Sequence, residues 1–180
     1  GEIEHEGQIV KAAMTNKSLY TNVSIKKTGY AQTMNNNIMR WTVSGVRNDS
    51  TTSLQSFYWR DTLPTDAVRL TRLVTGTYST TQTYKVTFTT NLNSQWRTAY
   101  DNLSTAKNYT LDMSSAALGL ASNEYVTQFM LSFGIVPAGF HQLTNATVDA
   151  QTLYALTNGY KFTNKADVGG LLGGNWVQSI

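Results

Sequence analysis

The chain contains no cysteine among its 180 residues. Disulfide staples, thiol nucleophiles and cysteine-built zinc clusters are therefore excluded. Proline occurs only twice, too rarely for a stiff extended linker. Charged residues make up 14% of the chain, with a formal charge of +3 and the basic residues scattered. The basic stripe that a nucleic-acid binder needs is missing. No apolar run is long enough to span a membrane as a helix, and no signal-peptide pattern opens the chain. The start at Gly1 is that of a trimmed chain, so any export signal or anchor is expected outside it. The stretch "GEIEHEG" is too polar to supply core. Residues 1–16 are expected to be a linker or the tail of a preceding domain, and residues 17–180 a single domain.

What the chain does have is the composition of a β protein. Apolar residues reach 41%, and Thr, Ser and Asn are abundant. Val, Tyr, Phe and Thr suit a pleated, half-buried surface. Period-two alternation recurs along the chain. Val23, Ile25 and Lys27 alternate in "TNVSIKKTG", Met39, Trp41 and Val43 in "NIMRWTVSG", and Phe57, Trp59 and Asp61 in "QSFYWRDTLP". Tyr84, Val86 and Phe88 do so next, then Tyr125 through Phe133. The last run is "NGYKFTNKADVGG", where Phe162, Asn164, Ala166 and Val168 share a phase. Further strands are expected over Val68–Val74 and Gln8–Ala12. Short helical turns are expected in connecting loops, at Ser94–Leu103, Ala150–Thr157 and within "LDMSSAALGLAS". The fold class is all-β, an immunoglobulin-like antiparallel β-sandwich.

Three strands place one polar residue in the apolar phase: Lys27, Asp61 and Asn164. Phase decides burial, because one step along a strand reverses the side chain. Lys26 therefore points outward and Lys27 inward. An amine, an acid and an amide in one core suggest one reaction. A neutral lysine amine attacks the asparagine side-chain carbonyl, ammonia leaves, and an amide cross-link remains. Burial lowers a lysine pKa and raises that of an acid. Lys27 would thereby gain its lone pair, and a protonated Asp61 would polarise the Asn164 carbonyl and shuttle protons. Trp59 and Phe162 are expected to keep the pocket dry. The protein would be its own substrate, once, and otherwise not an enzyme. No cofactor is called for.

The segments "SIKKTG", "RWTVSGVRNDST", "FYWRDTLP" and "FTNKADVGG" together resemble the conserved-repeat domains of Gram-positive bacterial cell-surface proteins. Those domains show a lysine after an alternating first strand, a "Y-x-I-x-V-x-N" strand, an "x-D-x-L-P" corner and a closing "N-x-A-x-V" strand. The resemblance covers Thr21 to Gly170, with Thr75–Thr157 matching only loosely. It implies a structural stalk or spacer module of a cell-wall-attached, extracellular surface protein or adhesin, with neighbouring domains of that protein as partners. Related modules carry lysine–asparagine isopeptide bonds assisted by an acid, and the matching positions are Lys27, Asn164 and Asp61. No LPxTG-type sorting signal occurs, so the resemblance implies wall attachment through sequence elsewhere. Such a bond would close a loop of about 137 residues, worth about 5 kcal/mol in the chain-entropy model for disulfides.

Blander readings account for the same residues one at a time. Lys27 can snorkel to water at a strand end. Asp61 can cap the turn at Thr62-Leu63-Pro64. Asn164 can bond backbone at a sheet edge, and an unreacted Lys–Asp ion pair fits the same phase. Among other motifs, "GGLLGGNW" lacks the lysine and spacing of a phosphate loop and reads as a flexible exit from the domain. His5 and His141 form no metal pattern, and neither do Asp101, Asp112 and Glu124. Trp41 and Trp59 read as core. Trp96 and Trp176 lie in polar surroundings, where a tryptophan either anchors a loop or stacks on a sugar. The alternative function is therefore a ligand- or carbohydrate-binding adhesin module, with a host or environmental glycan or matrix ligand at Trp96 and Tyr100. A hydrolase is disfavoured, because no nucleophile–base pair or paired carboxylates stand out.

Overall fold

The structure is a computed structural model. It describes the backbone of residues 2–4, 10–14, 17–34, 38–153 and 163–180, and the side chains of residues 19–28, 38–153 and 163–180. In chain order the strands are β1 (Glu2–Glu4), β2 (Val10–Met14), β3 (Lys17–Thr21), β4 (Val23–Met34), β5 (Ile38–Asn48), β6 (Leu54–Thr62), β7 (Val68–Val74) and β8 (Thr77–Tyr78). There follow β9 (Thr83–Thr90), β10 (Arg97–Ser104), β11 (Thr110–Asp112), β12 (Val126–Val136), β13 (Gln142–Thr144), β14 (Ala146–Thr152), β15 (Lys165–Leu172) and β16 (Asn175–Ser179).

Two six-stranded sheets carry the fold. The first runs β1-β4-β5-β14-β7-β11 and the second β10-β9-β12-β6-β15-β16, with every pairing antiparallel. Two-stranded ribbons, β13-β8 and β2-β3, complete it. The result is an immunoglobulin-like antiparallel β-sandwich, as the alternation predicts. Within residues 1–16, Glu2–Glu4 forms the edge strand β1 against β4, and Val10–Met14 pairs with β3.

The inward faces follow the predicted phases. Val23, Ile25, Met39, Trp41, Val43, Phe57, Trp59, Tyr84, Val86, Phe88, Phe129, Leu131 and Phe133 are all buried. Their burial is the dominant favourable term of folding. One end of the interior is aromatic. Phe57 meets Phe140 with ring centroids 5.6 Å apart, and Tyr78 meets Phe133 at 4.8 Å. Trp59 donates its indole N–H to the Tyr78 hydroxyl at 2.9 Å, so the buried ring has its partner. Asp61 lies four residues beyond Phe57 on β6, roughly 13 Å along the strand, toward the other end.

Buried Asn48 fixes where the first sheet turns into the second. Its amide donates to the carbonyls of Thr52 (3.1 Å) and Pro137 (3.0 Å), and its side-chain oxygen accepts from the Ser50 amide (3.0 Å). Ser50 in turn bonds both the N–H and the C=O of Asn22, directly before β4. The start of the strand that carries Lys27 is thereby held.

Three expectations change. Ser94–Leu103 is not helical: its second half is edge strand β10, whose exposed polar residues weaken the alternation signal. Ala150–Thr152 ends strand β14, and the remainder of that predicted helical turn lies outside the described residues. "GGLLGGNW" is not a loose exit but the β15–β16 hairpin. Gly173 and Gly174 take φ of 56° and 82° at its tip, the left-handed pair that a tight two-residue hairpin turn requires. Within "LDMSSAALGLAS", residues 115–119 form turns, closed by bonds such as Leu118 N–H to the Ser114 carbonyl at 3.1 Å.

A charged ladder clamps the outside of the first sheet. Asp149 on β14 accepts from Arg40 on β5 (2.7 and 2.9 Å) and from Arg72 on β7 (3.0 and 2.7 Å). Burial by itself would raise the Asp149 carboxyl, but hydrogen bonds from the two guanidinium groups outweigh it and hold the carboxyl below its ordinary value. A depressed folded-state value contributes stability that is complete above the unfolded value and lost as pH falls through the folded one. Asp149→Asn should therefore cost about 1–3 kcal/mol at neutral pH. In urea titrations across pH, its deficit relative to the parent should shrink below about pH 4. A deficit that stays constant down to acid pH would show that the ladder contributes no such term.

Candidate functional site

Three elements deliver one polar side chain each to the seam between the sheets. Lys27 comes from β4 of the first sheet, where its Cα partner on β5 is Val43. Asp61 comes from β6 in the middle of the second sheet, flanked by Phe129 on β12 and Ala166 on β15. Asn164 lies immediately before β15 and shares the inward phase of Ala166 and Val168. Lys27, Asp61 and Asn164 are 1%, 0% and 4% exposed, while neighbouring Lys26 is exposed. The snorkelling, turn-capping and sheet-edge readings therefore fail for these residues. The ion-pair geometry and the reactive geometry remain, and they share the same atoms.

The Lys27 ammonium nitrogen contacts Asp61 Oδ2 directly. The Asn164 amide nitrogen donates to that same oxygen at 3.2 Å. One carboxylate oxygen thus gathers the amine and the amide from opposite sheets. The face of Trp41 lies over the amine, with the ring centroid 5.5 Å from Nζ. Trp41, rather than Trp59, is the aromatic ring placed against the lysine. Trp59 is buried one alternation earlier on β6 and spends its N–H on Tyr78. Phe162 lies outside the described residues.

Burial works against the charged forms of both partners. Burial pushes the Lys27 amine below its usual value, against the attraction of Asp61. Burial likewise pushes the Asp61 carboxyl up, against the pull of Lys27 and the Asn164 hydrogen bond. Moving one proton along the contact converts ammonium and carboxylate into amine and carboxylic acid without changing the net charge. Because water is excluded, desolvation penalises the charged arrangement. The neutral arrangement is the one in which Lys27 has a lone pair.

Two acceptors in the pocket lack a hydrogen-bond partner, Asp61 Oδ1 and Asn164 Oδ1. Leaving such atoms unpaired costs roughly 1–3 kcal/mol each. A protonated Asp61 and a turn of the amide would join them, since carboxylic acid to amide oxygen is a donor–acceptor match. That same bond polarises the carbonyl for attack.

The other predicted site residues lie elsewhere. Trp96 is 38% exposed at the entry to β10 and lines a pocket on the outer face of the second sheet. Tyr100 does not join it: its ring packs against the core, and its hydroxyl donates to the Asp112 carbonyl at 2.8 Å. Trp176 on β16, 45% exposed, lines the pocket instead. Alternation within "NWVQS" points Val177 inward and so Trp176 outward, but a five-residue strand after a glycine cluster gives little signal. Asn48 was also missed. An asparagine next to a turn reads as turn chemistry, and its burial comes from the long-range contact with Pro137. No family model matches the chain, and no curated protein matches it by sequence.

The geometry makes Asp61 the partner on which the buried amine depends. In an Asn164→Ala background, where the amide carbonyl is gone, adding Asp61→Ala should cost about 3 kcal/mol or more in urea unfolding. Adding Lys27→Met to that double variant should recover most of the loss. Failure of the methionine to rescue would show that Asp61 serves packing rather than the amine.

Proposed function

We propose that this sandwich is a self-cross-linking structural module, a stalk or spacer unit of a cell-wall-associated surface protein or adhesin. The observation that carries the reading is the meeting of Lys27, Asp61 and Asn164 on one buried oxygen between the two sheets. The four sequence landmarks around these residues, in order, support the surface-protein setting.

The chemistry balances without a co-reactant. The neutral Lys27 Nζ attacks Asn164 Cγ, and Asp61 donates its proton toward the carbonyl oxygen as negative charge develops there. Asp61 then takes a proton from the attacking nitrogen, passes one to the departing Nδ2, and recovers its own from the oxygen as the carbonyl re-forms. The Nζ–Cγ bond forms, the Cγ–Nδ2 bond breaks, one ammonia leaves, and Asp61 ends as it began. Proximity supplies much of the rate, because the fold has already brought the reacting groups together.

The product would tie β4 to the entry of β15, across the sandwich. Chain between residues 27 and 164 could not be drawn out by tension applied outside that interval. An amide also resists reductants, which suits a cysteine-free protein exposed to varied surroundings.

Intact mass under denaturing conditions should fall short of the sequence mass by one ammonia. Lys27→Ala, Asn164→Ala and Asp61→Ala should each restore the full mass. Digestion should yield a branched peptide joining Lys27 to Asn164. A parent protein at full sequence mass would overturn the cross-link and leave a buried ion pair in its place.

A further inference from the structure

The outer face of the second sheet carries a feature that the cross-link does not use. A pocket of about 630 Å³ lies there, with Trp96 and Trp176 among its walls. The two tryptophans come from opposite margins of the sheet, since β10 and β16 are its edge strands. Five strand spacings separate those edges, roughly 24 Å, so the depression crosses the strands as a groove. Its volume falls in the range of small-ligand sites.

The backbone departs from regular β geometry along this groove. Ser56 and Asn102, the two non-glycine residues with left-handed φ among those described (49° and 54°), both line it. The β9–β10 ladder shifts register between Thr98 and Leu103, and the β6–β12 ladder shifts between Ser132 and Val136. Such irregularities bend strands and re-aim side chains. A left-handed residue that carries a Cβ persists only where its surroundings hold it. Here both lie on one depression.

The floor is built rather than incidental. Tyr58 on β6 lies over Gly169 on β15: a Cβ at that glycine would come within 2.9 Å of the Tyr58 ring and 3.0 Å of Gln178. Tyr58 donates to Asp167 at 3.1 Å and accepts from Gln178 at 3.0 Å, and Trp176 packs against it edge-on at 5.8 Å. Arg60 is held by Asp167 through bonds of 2.8 and 2.7 Å. The aromatic surface is therefore fixed in place before any ligand arrives.

We infer that this groove binds a neutral carbohydrate chain, with Trp96 and Trp176 as stacking platforms at its two ends. A pyranose ring offers an apolar C–H face to an indole and hydroxyls around its rim. The groove supplies both counterparts, exposed rings and the hydrogen-bonding groups of Asn102, Gln178, Asp101 and Lys85. The charges argue for a neutral ligand: Lys85 and Asp101 oppose each other in sign, and Arg60 is already paired with Asp167. A groove across the strands suits a run of sugar units rather than a single ring. This inference goes beyond the structural role and is independent of the cross-link, which lies on the opposite face of the same sheet.

The test is a glycan microarray followed by affinity electrophoresis in gels containing hydroxyethylcellulose, laminarin, arabinoxylan or glycol chitin. At least one neutral glycan should retard the protein. Trp96→Ala and Trp176→Ala should each weaken that binding by about tenfold, and the double variant should abolish it. Gly169→Ala should weaken it by displacing Tyr58, while Tyr100→Phe should leave it unchanged. Unaltered thermal unfolding of the two tryptophan variants separates lost contacts from lost fold. Three outcomes would overturn the proposal: no signal on array or gels, binding that survives in the double variant, or capture of a polyproline peptide without any glycan.

Discussion

The structure turns on a contact that water would normally forbid. An amine and a carboxyl, 1% and 0% exposed, share a proton-bearing contact in the seam of a sandwich. A carboxamide lies on the same carboxyl oxygen. Each group is costly to bury alone, and a buried ion pair at best roughly repays its desolvation. The contact also constrains everything around it. A slip of one residue in β4 that brought Thr28 into the place of Lys27 would leave Asp61 without its base. The polar trio therefore specifies register between sheets in a way that Val, Ile and Phe, interchangeable by packing alone, do not.

Stability by itself would be a poor reason to keep such a trio, since an apolar set of similar volume would fill the seam at lower cost. The arrangement makes better sense as a reactive one. Burial depresses the amine and elevates the acid, each in the direction that acyl transfer requires. The two unpaired oxygens are the atoms whose joining would polarise the amide. In the proposed reading, the cost of burial is met once, during folding, and converted into a covalent bond. The benefit then appears as kinetic resistance to unfolding rather than as equilibrium stability alone.

How much of this was legible in the sequence depends on the range of the signal. Phase along a strand is local, so the burial of Lys27, Asp61 and Asn164 could be read from their apolar neighbours two residues away. The core assignments of Trp41 and Trp59 followed in the same way. Partner identity between strands is not local. Trp41 over Lys27, Asn48 bridging to Pro137, and Asp149 between two arginines each join residues far apart in the chain. Edge strands misled for a further reason. β10 has one face on the sandwich margin and few fully buried residues, so its alternation is diluted and a helical turn fits the letters as well. The glycines of the closing hairpin read as looseness because composition does not distinguish a flexible glycine from one required by a left-handed turn.

The two proposed roles meet on β6 and β15. Inward, Asp61 and the approach to β15 hold the trio, and outward, Tyr58 and Gly169 build the groove floor. Alternation lets one pair of strands serve a dry seam and a wet face with no residue shared between them. Lys165↔Thr62 through Gly169↔Tyr58 is one continuous register, broken only beyond Gly169. Fixing Asn164 to the opposite sheet would thus fix the phase of the strand on which Tyr58 rests. A groove whose platforms are held by register loses little conformational freedom when a sugar chain docks. A module pulled from its ends could then keep its binding face in shape under tension, because the proposed bond would enter the same strand that forms the floor.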